Sequence, residues 1–297
     1  MLQQRIHFRV ETPLFLGGFN PFLSEWRVAS LKGCLRYWYR AIQPDLTMEK
    51  KIFGITGKQS LVIFHIDANK PKISRDLHRF PRYFTFFLKG KSYIKPGEKF
   101  TLHLLLHPKE KNLLRDVLTS IWLLTTIGGL GSRCRRGFGT ISIHKIENQQ
   151  AEMDFLFEKA KSISAWKKQV QKGLQQCWQW YPPSNRITHP MVHPTLKMFV
   201  YQTSCSTWEK ALRKGAYVLE RFRQHHRRNK SVLRMMGTAE VRCPSITWFR
   251  IVHINGQYYP VYFVLPNDFP EPDYQQFVQL WGGFLVNNRF EASEFNE

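Results

Sequence analysis

The sequence predicts an α+β protein built as two tandem ferredoxin-like (RRM-like) domains, residues 1–150 and 151–297. Three observations predict it. Hydrophobic periodicity in the first half switches between 2 and 3.6 in the order β-α-β-β-α-β. The second half repeats that outline more loosely. Finally, 297 residues with 43% hydrophobic and 14% aromatic content suffice for two cores of roughly 150 residues each. That aromatic content also excludes a disordered basic chain, which lacks side chains to fill a core.

Residues 3–11 alternate polar and apolar side chains as a strand does. A loop holding Gly17, Gly18 and Pro21 leads to an amphipathic helix over residues 31–42, where Leu31, Leu35, Trp38 and Ile42 share one face. A short helix follows at 48–53. Strands are predicted at 60–66, 83–88 and 100–107, the last alternating around Leu102, Leu104 and Leu106. Residues 110–127 read as a second long helix, and the glycine-rich 128–139 leads into a closing strand at 140–146. In the second half, 152–176 reads as a helix, 178–194 as a Pro-rich connector, 196–202 as a strand and 207–224 as a helix. Strands at 245–254 and 258–265 flank Asn255-Gly256, a dipeptide suited to a type I′ turn. A last helix is predicted at 273–285.

Charge narrows the function. Lys and Arg number 44 against 22 Asp and Glu, a formal net charge of +22, and this excess calls for a polyanionic partner. Residues 1–150 carry 25 basic and 10 acidic side chains, and residues 151–297 carry 19 and 12. The stretch 266–297 reverses the trend, with six acidic residues against Arg289 alone; it reads as a face turned from the polyanion or toward a basic neighbour. No run reaches the roughly 18 apolar residues of a membrane span, and the first residues lack the build of a signal peptide. The chain therefore reads as cytoplasmic, with no membrane partner. Its five cysteines, at 34, 134, 177, 205 and 243, include no C-x-x-C pair. They read as reduced packing residues, with no metal or other cofactor.

Three segments concentrate the cations. On the first helix, Lys32, Arg36 and Arg40 recur every four residues on one face with no carboxylate among them, Gly33 implies close approach by another backbone, and Ser30 is placed to cap an N-terminus that favours phosphate. A solvated basic face is the alternative, and Trp38 reads as core. The second segment, 128–139, joins five glycines to Arg133, Arg135 and Arg136, so that backbone N–H groups and guanidinium forks could together cradle an anion. It is neither a Walker loop nor a dinucleotide fingerprint; a ligand-free turn is the alternative. The third, 210–234, reads as a mobile basic loop that tracks an RNA backbone through Arg227 and Arg228, with Arg242 beyond it, and equally as a solubilising loop. None of the 11 histidines stands in a known catalytic motif. A metal-free RNA cleavage site needs only a base and a charge stabiliser, such as His7, His225 or His226 beside arginines, so that alternative stays open.

Thr12-Pro13-Leu14-Phe15 with Gly17-Gly18, Trp26-Arg27, S-L-K-G-C-L-R-Y-W-Y-R from Ser30, Ile52-Phe53-Gly54 followed by Ser60, and G-G-L-G-S-R-C-R-R-G-F-G from Gly128 together resemble the RAMP superfamily of CRISPR effector proteins. Within it, the pattern is most similar to the family of first subunits of the type III-B, or Cmr, complex. Arg242-Cys243-Pro244-Ser245 resembles an R-x-S-P-like element of that family with Pro and Ser exchanged. The resemblance implies two ferredoxin-like domains, binding of guide RNA near its 3′ end and of target RNA, other Cmr-type subunits as partners, and no nuclease role. It implies RNA contact at Arg27, Ser30, Lys32, Gly33, Arg36 and Arg40, and at Gly131, Arg133, Arg135 and Arg136.

Overall fold

In the computed structural model, which describes residues 1–43, 45–147, 157–183, 191–238, 243–268, 271–293 and 295, the alternation of the first strand becomes a two-faced sheet. The elements run β1 (Leu2–Val10), α1 (Val28–Ile42), α2 (Leu46–Phe53), β2 (Val62–Asp67), β3 (Ile73–Ser74), α3 (Arg82–Thr85), β4 (Tyr93–Ile94), β5 (Lys99–Leu106), α4 (Leu113–Thr126), β6 (Ile141–Glu147) and α5 (Ile163–Trp180). They continue β7 (Lys197–Tyr201), α6 (Trp208–His225), α7 (Lys230–Met235), β8 (Thr247–Ile254), β9 (Gln257–Val264), α8 (Glu271–Asn287) and β10 (Phe290–Ser293). They divide into two units. The first holds Met1–Asp76, Gly90–Cys134 and Phe138–Ala160; the second holds Leu77–Lys89, Arg135–Gly137 and Lys161–Glu297.

The sheet of the first unit has the order β2-β5-β1-β6, with every pair antiparallel. Ile6, Phe8 and Val10 are buried with Leu102, Leu104 and Leu106 and with Val62 and Phe64. Burial of each such side chain contributes roughly 1.5–3 kcal/mol. The opposite side of β1 carries Arg5, His7 and Arg9. Helix α1 buries Leu31, Leu35, Trp38, Tyr39 and Ile42 and packs against α4, α2 and β2. Trp38 is core.

The second unit repeats the sheet order as β10-β7-β9-β8, again antiparallel throughout. Asn255 and Gly256 turn the β8–β9 hairpin with φ of 49° and 76°, the two positive angles a type I′ turn requires. Thr207 and Asn229 cap α6 and α7 through their side chains. The core centres on Tyr262, whose ring lies 5.1 Å from Trp281 and 4.9 Å from Phe249. Its hydroxyl donates to Gly215 O at 2.8 Å, and burial pushes its pKa well up.

Several expectations need correction. Residues 83–88 do not form a strand: Pro81 opens the short helix α3, which turns Phe84 onto Phe249 at 6.0 Å and leaves Phe86 and Phe87 exposed. The helix expected at 152–176 is α5, which starts after Ser162 because that hydroxyl accepts from Ala165 N and runs on to Trp180, into the expected connector; residues 152–156 and 184–190 lie outside the described ones. The helix expected at 207–224 is α6; the rest of the basic segment 210–234, expected as a mobile loop, adds the capped helix α7, and the apolar face of the segment, including Leu212, Leu219, Phe222 and Val232, is buried. Strand β10, which pairs with β7, was not predicted. Among the described residues, no helix is long and apolar enough to cross a membrane, and none of the five cysteines is joined in a disulfide.

Gly215 leaves room for the ring of Phe249, since a Cβ there would lie 2.1 Å from Phe249 Cζ. Gly215→Val should therefore overpack this core and lower stability by roughly 1–3 kcal/mol, read as a reduced thermal unfolding midpoint.

Candidate nucleic-acid interface

Helix α1 begins earlier than its sequence pattern indicates. Arg27 occupies the N-cap position with φ −141° and offers no capping side chain, so Ser30 lies inside the first turn and does not cap it. Arg27 is exposed, and its Nη1 donates to Gly18 O at 3.3 Å. Gly33 was expected to admit another backbone; a Cβ there would meet nothing within 4 Å, so this face of the helix is open.

Lys32, Arg36 and Arg40 follow one another down α1 as their spacing dictates, yet they do not lack a carboxylate. Helix α2 supplies Glu49, whose side chain is 4% exposed. Arg40 holds it with two hydrogen bonds, Nε to Oε2 at 2.5 Å and Nη2 to Oε1 at 2.8 Å, and Arg36 Nε stands 4.0 Å from it. This bond raises the pKa of Arg40 and joins the two helices. The pairing escaped sequence reasoning because it is made across a turn, between residues nine apart. Arg36 Nη2 donates to Phe53 O at 2.9 Å and to Gly54 O, at the end of α2 where unsatisfied carbonyls attract a cation.

Lys32 is placed differently. Its ammonium is 3.4 Å from Ser60 Oγ and 5.2 Å from the centroid of Phe64. Burial, and then the neighbouring Arg36 charge, lower its pKa from the ordinary 10.5. Two half-dried cations pressed together gain from an arriving anion, which relieves their repulsion. Lys32, Arg36, Lys58 and Ser60 line an open groove of about 390 Å³ with the turn after α2. That turn depends on Gly54, at φ +73° and with Ser60 N only 2.9 Å from where a Cβ would be, and it closes through reciprocal Ile55 and Lys58 bonds of 3.0 Å. Lys58 and Ser60 were not assigned contacts from the sequence. The signal was present in Gly54 and Gly57, which bracket a short turn immediately after a helix.

The glycine-arginine segment is built for packing. Gly131, Gly137 and Gly139 have φ of +82°, +80° and +64°, conformations that other residues seldom adopt. A Cβ on Gly139 would meet Leu130 O at 1.8 Å, and one on Gly131 would meet Phe15 O at 2.5 Å. The amides of Leu130, Ser132 and Gly139 donate to Gly139 O, Phe15 O and Pro13 O at 2.8, 2.8 and 2.9 Å. These N–H groups are therefore engaged within the chain, which corrects the expectation that they converge on an anion.

The arginines of this segment part company. Arg133 belongs to the first unit, half-buried and at φ +62°. Arg135 and Arg136 belong to the second. There Arg135 Nη1 donates to Ser245 O at 2.8 Å with its guanidinium 4.5 Å from the Trp248 ring centroid, and Arg136 Nη2 donates to Met236 O at 3.0 Å. Phe249 N bonds Arg135 O at 3.2 Å. Ser245 is buried and its hydroxyl engages Thr247. Arg227 and Arg228 are exposed after α6, with no ion-pair partner among the described residues; Arg242 lies outside them.

Glu49→Gln should remove the charge that binds α1 to α2. Because Arg40 remains half in water, the loss is discounted to about 1–3 kcal/mol. Denaturant unfolding should register it, and an unchanged midpoint would mean that the pair contributes nothing to the helix junction.

Residues 7–142 match the RAMP superfamily. Two curated relatives come from Pyrococcus furiosus: CRISPR system Cmr subunit Cmr1-1, 24% identical over 79% of this chain and 78% of its own length, and Cmr1-2, 27% identical over 46% and 91%. The crystal structure of apo Cmr1 from that organism superposes with a TM-score of 0.73 over 99% of both chains at 19% identity. A chain in a cryo-EM structure of the type III-B Cmr-beta complex bound to cognate target RNA superposes with a TM-score of 0.66 over 96% of this chain and 99% of its own, at 13% identity. Sequence match and shared fold agree: residues 7–142 are similar to the RAMP superfamily, and the chain has the fold of Cmr1.

Proposed function

We propose that the chain is a non-catalytic RNA-binding subunit of a type III-B CRISPR ribonucleoprotein, that it holds guide RNA near its 3′ end together with the target duplex, and that it caps the complex. The observation that carries the reading is the groove beside α1, lined by the partly buried Lys32 and Arg36 one turn apart, with Ser60 adding a hydroxyl. Contacts of this kind grip phosphates and are indifferent to sequence, as a guide carrier requires. Arg27, Ser30, Gly33 and Lys58 extend the track, while Arg40 acts mainly as the tie to Glu49. In this reading both units are ferredoxin-like, since each sheet sets its last strand beside its first and its third between first and second. Partners are guide RNA, target RNA and other Cmr-type subunits; similarity to chains of Cmr-beta bound to cognate target RNA supports this.

One observation favours a second reading, metal-free RNA cleavage. His7 Nδ1 lies 3.0 Å from Thr101 Oγ1 and its Nε2 lies 3.2 Å from Glu147, with Arg5 also 3.6 Å from that carboxylate. A discrete product from labelled repeat RNA incubated with the protein in EDTA would favour it.

Binding should weaken steeply with salt, with a log–log slope of about −0.7 per phosphate neutralised on single-stranded RNA. The double variant Lys32→Ala/Arg36→Ala should make that slope shallower by roughly 1.4, whereas Arg135→Ala and Arg136→Ala should chiefly lower stability. A flat salt dependence of the unaltered protein would sink the reading.

The depressed pKa of Lys32 adds a pH signature. Its ammonium deprotonates below the ordinary 10.5, so its contribution is present at neutral pH and is lost as pH rises through that lowered value. Lys32→Arg should keep neutral-pH affinity and abolish the alkaline loss in an RNA titration.

A further inference from the structure

Among the large hydrophobic side chains in the described residues, Phe19 stands out at 100% exposed. It does not sit on a loose tether. Its own amide donates to Glu25 Oε1 at 3.3 Å and that of Phe22 to Asn20 Oδ1 at 2.9 Å. Leu23 N bonds Asn20 O at 3.1 Å, Gly18 N bonds Leu23 O at 3.4 Å, and Ser92 N bonds Phe22 O at 2.8 Å. Arg27 completes the bracing through Gly18 O. The loop is thus a braced turn that presents one aromatic ring to water, with Phe22 in the same loop at 52% exposure.

We propose that Phe19 is a stacking platform for an unpaired base of single-stranded RNA. The inference rests on the RNA-binding reading above and adds a contact of different chemistry, to a base face and not to phosphate. The surroundings favour a nucleobase over a protein surface. Arg27 is exposed beside the loop, Lys91 and Ser132 line the small groove next to Gly17 and Gly18, and the loop's carboxylate, Glu25, is turned to the Phe19 amide. Exposed aromatics interleaved with cations typify sequence-tolerant single-strand sites, whereas the centre of a protein interface is depleted of charge. A loop backbone held by these bonds also loses little freedom when a base lands on its ring.

The test uses the full chain and a set of single-stranded RNAs carrying 2-aminopurine at successive positions. The unaltered protein should quench the probe at one position. Phe19→Ala should lose that quench and bind roughly tenfold more weakly with an unchanged salt slope; Phe19→Trp should restore both, and Phe19→Leu should not. Unchanged affinity and quench in Phe19→Ala, with Lys32→Ala still weakening binding, would overturn the stacking role and leave the RNA reading standing. Loss of co-purifying protein subunits with RNA affinity intact would overturn it in favour of a protein-docking wedge. If the unaltered protein binds none of the RNAs, both readings fall.

Discussion

The basic helix depends on one buried carboxylate. Glu49 is almost removed from water, a costly position for an unpaired charge, and Arg40 answers it with two hydrogen bonds while Arg36 stands within reach. Satisfying that one group fixes α2 against α1. It also brings the last carbonyls of α2 to Arg36 and sets the turn beyond Gly54 beside Lys32. The groove is a consequence of this junction: its cations are held by helix ends and ring faces, which leaves part of their hydrogen-bonding capacity for an anion.

Glycine serves the molecule more through shape than through exposed amides. Gly131 and Gly139 let the segment between α4 and β6 fold back on Phe15 and Leu130, with its amides bonded to neighbouring carbonyls. Gly215 does the equivalent for Phe249 in the second unit. What a glycine-rich arginine segment does is therefore decided by where its arginines end up. Arg135 and Arg136 bind carbonyls beside α7 and β8 within the second unit, whereas Lys32 and Arg36 of α1 line an open groove.

Much of the fold was legible in the sequence. The alternation of β1 and β5, the apolar stripe of α1 and the Asn255-Gly256 turn each express a local rule, and each element formed within a few residues of its expected bounds. The misreadings share a cause. Residues 83–88 were read from their aromatic run and 225–234 from their charges, while their structure was set by what their apolar residues bury: Phe84 on Phe249, and Val232 and Met235 in the core. Likewise the Lys32–Arg36–Arg40 stripe is visible at helical spacing, but its neutralising Glu49 comes from another helix, and no spacing rule ties the two.

By itself, the sequence determined the α+β order, the core faces, the excess of positive charge and the resemblance to the RAMP superfamily, because periodicity, composition and motif order are local or additive properties of a chain. Only the tertiary structure decided which cations remain available to an anion. Lys32 borders an open groove, Arg36 borders it too while giving one Nη to the Phe53 and Gly54 carbonyls, Arg40 is committed to Glu49, and Arg135 and Arg136 are committed to Ser245 and Met236. The physical reason is that a guanidinium's role is fixed by whichever acceptor lies within about 3 Å, and those acceptors are residues distant in sequence that only folding brings near.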